Sequence, residues 1–151
     1  MTKNNQIQQQ IESYLLSQSR NKIVLHTDKI EDIAPLNVGV IISESISLLT
    51  DNNRLAFKVK TIIDEIFSSS VFAHKIYGKI LPLMNIGILM EPELKLDITS
   101  LFDKFSRDTT LFLQWEGAII EGSLFFLTKE NGIEININKL SYISIWNTEN
   151  Y

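Results

Sequence analysis

No cysteine occurs anywhere in the 151-residue chain. That absence excludes a disulfide framework, a thiolate zinc site and a cysteine nucleophile. A basic block is missing as well: 14 Lys and Arg lie scattered against 18 Asp and Glu, for a net charge of −4. Nothing in that balance calls for an anionic membrane or a nucleic-acid partner, and it speaks against autonomous DNA binding by counterion release. Long apolar runs are also absent. The most apolar stretch, Ile80–Met90, is interrupted by Pro82, Asn85 and Gly87, and a bilayer needs about 20 apolar residues. The polar start, MTKNNQIQQQ, lacks the apolar core of a signal peptide, so a cytoplasmic protein is expected.

What remains is ordinary folded composition, 44% hydrophobic and 21% charged, of a length that fits one domain. Ile7, Ile11, Tyr14 and Leu15 share one face of a helix of about three turns. Lys22–His26 reads as a short buried strand and Val38–Ile42 as a second. Ser43 is a candidate N-cap for a helical ESISLLT segment. Leu55, Val59, Ile62, Ile63 and Ile66 form an apolar stripe along a helix over Arg54–Phe67, with Ser68–Ser70 as a polar connection. Val71–Tyr77 alternates as a strand, and Ile80–Met90 reads as another that Glu91-Pro92 ends. An amphipathic helix follows, reaching Phe105 and capped by Asp97 or Thr99. Thr109–Trp115 is apolar enough for a central strand. Ser123–Thr128 and Ile133–Ile137 flank Asn131-Gly132 as a hairpin, and Leu140–Trp146 offers a last strand. Strands alternate with helices as far as Trp115 and then give way to pure β. The pattern predicts an α/β layer with an antiparallel edge.

The search for chemistry is mostly negative. A phosphate loop after Lys22–His26 would need glycines followed by Lys and Ser or Thr. The residues there are Thr27, Asp28, Lys29, Ile30, Glu31 and Asp32, with three acids where phosphate would sit. His26 with Asp28, Glu31 and Asp32 has ligand types for a divalent metal, against the plainer reading of a strand-end histidine beside a solvated acidic loop. His74 stands alone in an apolar segment and reads as a satisfied core or surface residue. Glu91 and Glu93 flank Pro92 at a strand end, where turn solubility explains them as well as function does. Ser45 and Ser47 lack the glycine-flanked elbow of a nucleophile. Arg107 at a helix end either complements the helix dipole or faces a partner's anion. Trp115 and Trp146 read as core or interface anchors.

Three stretches, NVGVIISESISLL (37–49), EPELKLDITSLFDKFSRDTTLFLQWEG (91–117) and EGSLFF (121–126), together resemble the BrxF family of small P-loop proteins in BREX-type phage defence. In that family a strand ends in an acidic Walker-B-like step. An F-D-P-x-L-K-x-D-P-L-x-L-L element follows, then L-S-R-N-R-T before a strand ending in W-x-G. Pro92, Leu94, Lys95, Asp97, Leu101, Ser106, Arg107, Thr109 or Thr110, Trp115 and Gly117 follow that pattern. The departures concern the nucleotide. The P-loop residues have no counterpart, and the interval from His26 to Val38 is short for a phosphate loop and helix. Met84 stands at the Walker-B Asp position, Gly87 replaces a second acid, and Asp108-Thr109 replaces Asn-Arg.

The resemblance therefore implies a three-layer AAA/P-loop-like sheet with flanking helices and an antiparallel C-terminal β segment, in one domain over 1–151. It implies no enzyme and no cofactor, since magnesium binding and water activation would both be lost. The implied role is a structural or regulatory subunit of a bacterial defence complex, partnered by its other subunits, with self-association also open. Contact residues on this reading are Arg107, Trp115, Glu91 and Lys95. Two other classes stay open: a small metal-dependent enzyme using His26, Asp28 and Asp32, and a nucleic-acid adaptor using Lys58, Lys60, Lys75 and Lys79.

Overall fold

The computed structural model of the chain describes residues 3–49, 53–115, 118–120, 123–125 and 134–145. Its centre is β1 (Ile23–His26), a strand buried on both faces. Successive side chains of a strand point to opposite faces, and the packing follows that alternation. Ile23 and Leu25 join one apolar cluster while Val24 joins the other.

Around β1 the sheet runs β2 (Leu36–Asn37), β4 (Gly78–Met84), β5 (Thr110–Gln114), β1 and β9 (Ile143–Ile145), with every neighbouring pair parallel. The outer edge of β4 is shared. Short β3 (Phe72–His74) pairs antiparallel with its first residues, Phe72 opposite Ile80, and β2 takes its last, Asn37 opposite Met84. A sheet with this many parallel neighbours needs cover on both faces. Helix α1 (Lys3–Leu16) supplies one cover through Ile7, Ile11, Tyr14 and Leu15, helped by Ile30 and Ile33 of the loop after β1. Helices α2 (Val38–Ser47), α3 (Leu55–Ser70) and α4 (Ile98–Phe105) supply the other, through Ile42, Val59, Ile63, Phe67 and Phe102. The molecule is an α/β protein with a mostly parallel sheet flanked by helices. No helix among the described residues is long and apolar enough to cross a membrane.

Several local expectations change. Residues 38–42 are not a strand but the first turns of α2, because Asn37 caps the helix by accepting from Val40 N–H at 3.1 Å. Ser43 lies inside that helix, so it is not the cap. The strand expected over Ile80–Met90 stops at Met84: Asn85 takes a left-handed backbone (φ 54) and a 3-10 turn runs through Ile86–Met90. Ser68–Ser70 continues α3 rather than linking it. Asp97 is the α4 cap, accepting from Ser100 N–H at 3.1 Å, which also holds its carboxyl below the usual range. Thr99 is within the helix.

The β-rich end also differs from a simple antiparallel edge. β6 (Ala118–Ile120), β7 (Ser123–Phe125) and β8 (Glu134–Asn136) pair antiparallel in a separate three-stranded sheet, and β9 returns to the main sheet parallel to β1. Gly117, Gly122, the Asn131-Gly132 turn and Trp146 lie outside the described residues.

Candidate functional site

In open α/β sheets ligands gather outside the carboxyl ends of the strands. Here His26, Asn37, Met84, Gln114 and Ile145 end their strands at one edge, with His26 level with both Gln114 and Ile145. His26 is buried and lies edge-on to Phe112, 6.2 Å between ring centroids. Its Nδ1–H donates to the Asp28 carbonyl at 2.7 Å. Burial pushes its pKa down, opposed by that carbonyl and by the Asp28 charge. The histidine at the head of the acidic loop is thus a neutral, tethered core group.

The far part of this edge is closed by amides. Asn85 Nδ2 donates at 3.0 Å to Asn37 Oδ1, the same oxygen that caps α2. Gly39 makes room for the contact: a Cβ there would stand 2.3 Å from Asn85 Nδ2. Beside it lies a shallow groove of about 530 Å³, lined by Val40, Ile88, Met90 and Glu91 among others. Gly39→Val should therefore cost about 1–3 kcal/mol through overpacking. Adding Asn85→Gly, which also suits the left-handed backbone, should recover the larger part in urea denaturation. A double variant no more stable than the single one would reject the steric account.

The four expected contact residues do not form one patch. Glu91 lines the shallow groove, and exposed Lys95, at φ 51, lines a second cleft beside α3 and α4. Trp115 is 4% exposed and packs in the main core, its backbone N–H donating to the His26 carbonyl at 2.9 Å. It is a core anchor, which corrects its reading as a surface contact. Arg107 precedes β5 and Trp115 follows it, so a strand length of about 15 Å separates them. Half-exposed Arg107 hydrogen-bonds Asp103, four residues earlier on α4, and Arg20 stands 3.6 Å from the same oxygen. Sequence reasoning passed over Asn21. It is 2% exposed and donates to Asp103 Oδ1 at 2.8 Å and to Ser106 Oγ at 3.0 Å, fastening the end of α4 to the start of β1.

The other two constellations are not assembled either. His26 turns to the Asp28 carbonyl while Asp32 faces His74 and Lys75. No group of three His, Asp or Glu able to hold a metal occurs among the described residues. Lys58 and Lys60 lie on α3, whereas Lys79 is on β4 and Lys75, in the β3–β4 turn, pairs with Asp32. Comparison of the chain with family models, with curated proteins and with solved structures returns no match.

Proposed function

We propose that the chain is a non-catalytic structural or regulatory subunit of a bacterial anti-phage defence complex of the BREX type, related to BrxF but without a working nucleotide site. The observation that carries this reading is the chemistry at the sheet edge. β1 and β4, which the resemblance makes the carriers of the phosphate loop and the acidic step, run parallel with β5 between them. Where phosphate and magnesium would need a glycine cradle and carboxylates, the strand ends carry a tethered His26, and Asn85 bonded to Asn37. Neutral amides hold that end together without presenting charge to a ligand. A parallel sheet kept intact around a discharged site is what a subunit retained for its surfaces would keep.

Glu91 and Lys95, both exposed, offer the cleanest surface test. Charge reversal at both, Glu91→Lys with Lys95→Glu, should leave the thermal midpoint nearly unchanged and reduce co-purification of partners from the native host at least tenfold. The partners expected in affinity capture with mass spectrometry are a large ATPase, methyltransferase or nuclease encoded beside this chain. Recovery of the chain alone would overturn the subunit reading. Micromolar ATP binding in calorimetry would overturn the loss of the nucleotide site.

A further inference from the structure

The two lateral edges of the main sheet are finished differently. On one side the devices that discourage edge pairing are present. β2 is two residues long and follows Pro35, and Lys75 and Lys79 stand beside β3. On the other side β9 pairs with β1, and its far side meets no strand among the described residues. An edge strand of this kind turns unpaired N–H and C=O groups outward. Ile143-Ser144-Ile145 brings no lysine, no proline and no charge to guard them. The edge is also anchored, because the Tyr14 hydroxyl of α1 lies 3.1 Å from Ser141 Oγ at the approach to β9.

Beside this edge runs an open groove of about 790 Å³, walled by β9 and by Gln6, Gln9, Gln10, Ser13 and Ser17. None of its lining residues is charged, in a chain of which 21% is. Those five polar side chains are all exposed and lie off the Ile7, Ile11 and Leu15 stripe that α1 gives to the core. Leu16 follows Gln9 and Ser13 along the same flank at i+7 and i+3. It is 81% exposed, an apolar side chain without cover.

The chemistry of this surface selects its occupant. A nucleic acid, or a protein of strong charge, would be met by charges of the opposite sign, and the groove offers none. In a symmetric pair each group near the two-fold axis meets its own copy or a close neighbour of it. Like charges would repel there, whereas a side-chain amide or a hydroxyl both donates and accepts and so bonds to its own kind. An uncharged amide flank beside an unguarded edge is complementary to itself. Antiparallel pairing of two β9 edges, about an axis perpendicular to the sheet, sets both α1 helices on the same face with these flanks turned to each other. Leu16 then lies on the side that is covered.

We propose that the chain forms a two-fold homodimer by antiparallel pairing of β9 with the β9 of a second copy, flanked by the amide-lined sides of the two α1 helices. The proposal does not rest on the defence-complex reading, whose test concerns Glu91 and Lys95. Three paired residues make a short contact, so association is expected in the micromolar range. Sedimentation equilibrium of the untagged full chain, from about 1 to about 200 µM, should show the 17.3 kDa monomer passing to a dimer and to nothing larger. Gln9→Glu with Ser13→Glu, both at exposed positions, should keep the far-UV circular dichroism of the wild type and weaken dimerisation at least tenfold. Gln9→Lys with Ser13→Lys should do the same alone. Mixing the acidic and basic variants should restore a dimer, since opposite charges then face each other across the axis. Hydrogen exchange at the amides of Ile143–Ile145 should slow between the dilute and the concentrated wild type, which separates edge pairing from contact through the helices alone. A chain that stays monomeric, an open-ended series of larger species, a dimer indifferent to the acidic pair, a mixture that fails to associate, or unchanged exchange in β9 would each overturn the proposal.

Discussion

Phe112→Ala should lower the unfolding free energy by about 3–5 kcal/mol, the usual range for truncating a buried aromatic ring. Phe112 is fully buried in the middle of β5, between the parallel neighbours β1 and β4. Its ring meets His26 edge-on and Tyr77 at 5.6 Å, so alanine would open a cavity beneath two aromatic neighbours at once. A rigid parallel sheet has little freedom to collapse into that space. In a domain of this size the loss corresponds to a fall in Tm of about 10 °C or more. Phe72→Ala makes the contrast, because that side chain on short β3 is 45% exposed and its removal should change stability by less than about 1 kcal/mol. Urea denaturation of both variants checks the pair. Equal effects would mean that the core is not organised around β5. Since Tyr77 is also the surface on which His74 lies, Phe112→Ala should broaden the NMR signals of the β3–β4 turn even where the fold survives.

Asn21→Ala carries the second large effect, about 1–3 kcal/mol at neutral pH, because the buried Ser106 hydroxyl loses the amide that donates to it. The amide of Asn21 is the foremost reason the Asp103 carboxyl is held at about 2 instead of 3.8, followed by the Arg107 hydrogen bond and the charges of Arg107 and Arg20. The sign of the pH effect follows. A carboxyl whose folded pKa is depressed adds stability that is complete above about pH 4 and is lost as pH falls towards 2. Without the amide, the folded carboxyl moves back towards its ordinary value, so less stability remains for acid to remove. The gap between wild type and Asn21→Ala should accordingly narrow between pH 4 and pH 2. Denaturation midpoints that stay parallel through that window would detach Asn21 from the Asp103 titration.

The readable parts of the chain were those where a local pattern and the tertiary fold agree. The stripes of α1 and α3 and the Asp97 cap of α4 appear at their expected places because an amphipathic period has one good solution at the surface of a sheet. VGVII misled for the opposite reason. Its β-branched residues favour a strand, but a short apolar run does not distinguish a strand from a buried helix. The deciding signal was Asn37, a strong capping residue just ahead of the run. At Asn85 the left-handed backbone cuts an apolar run that looks continuous in one dimension. The site was less legible still. Arg107, read from the sequence as complementing the helix dipole or facing a partner's anion, instead bonds Asp103 four residues earlier, from just beyond the end of α4. Nothing in VFAHKIY announces that His74 has one nitrogen committed to a turn and the other turned to Asp32. That emerges only when the β1 loop is brought against the β3–β4 turn, two segments far apart in sequence.

The placement of β1 also has a consequence for how the protein comes into being. The strand is translated before either neighbour: one is supplied by Thr110–Gln114 and the other, with Val24 paired to Ile143, later still. Loop closure of that span opposes early pairing. A growing chain therefore carries Ile23-Val24-Leu25 without its sheet partners until those segments emerge, a hydrophobic strand with both edges open. Truncation ahead of β9 would leave one edge of this buried strand open, the kind of unpaired edge that favours aggregation, whatever the finished molecule binds.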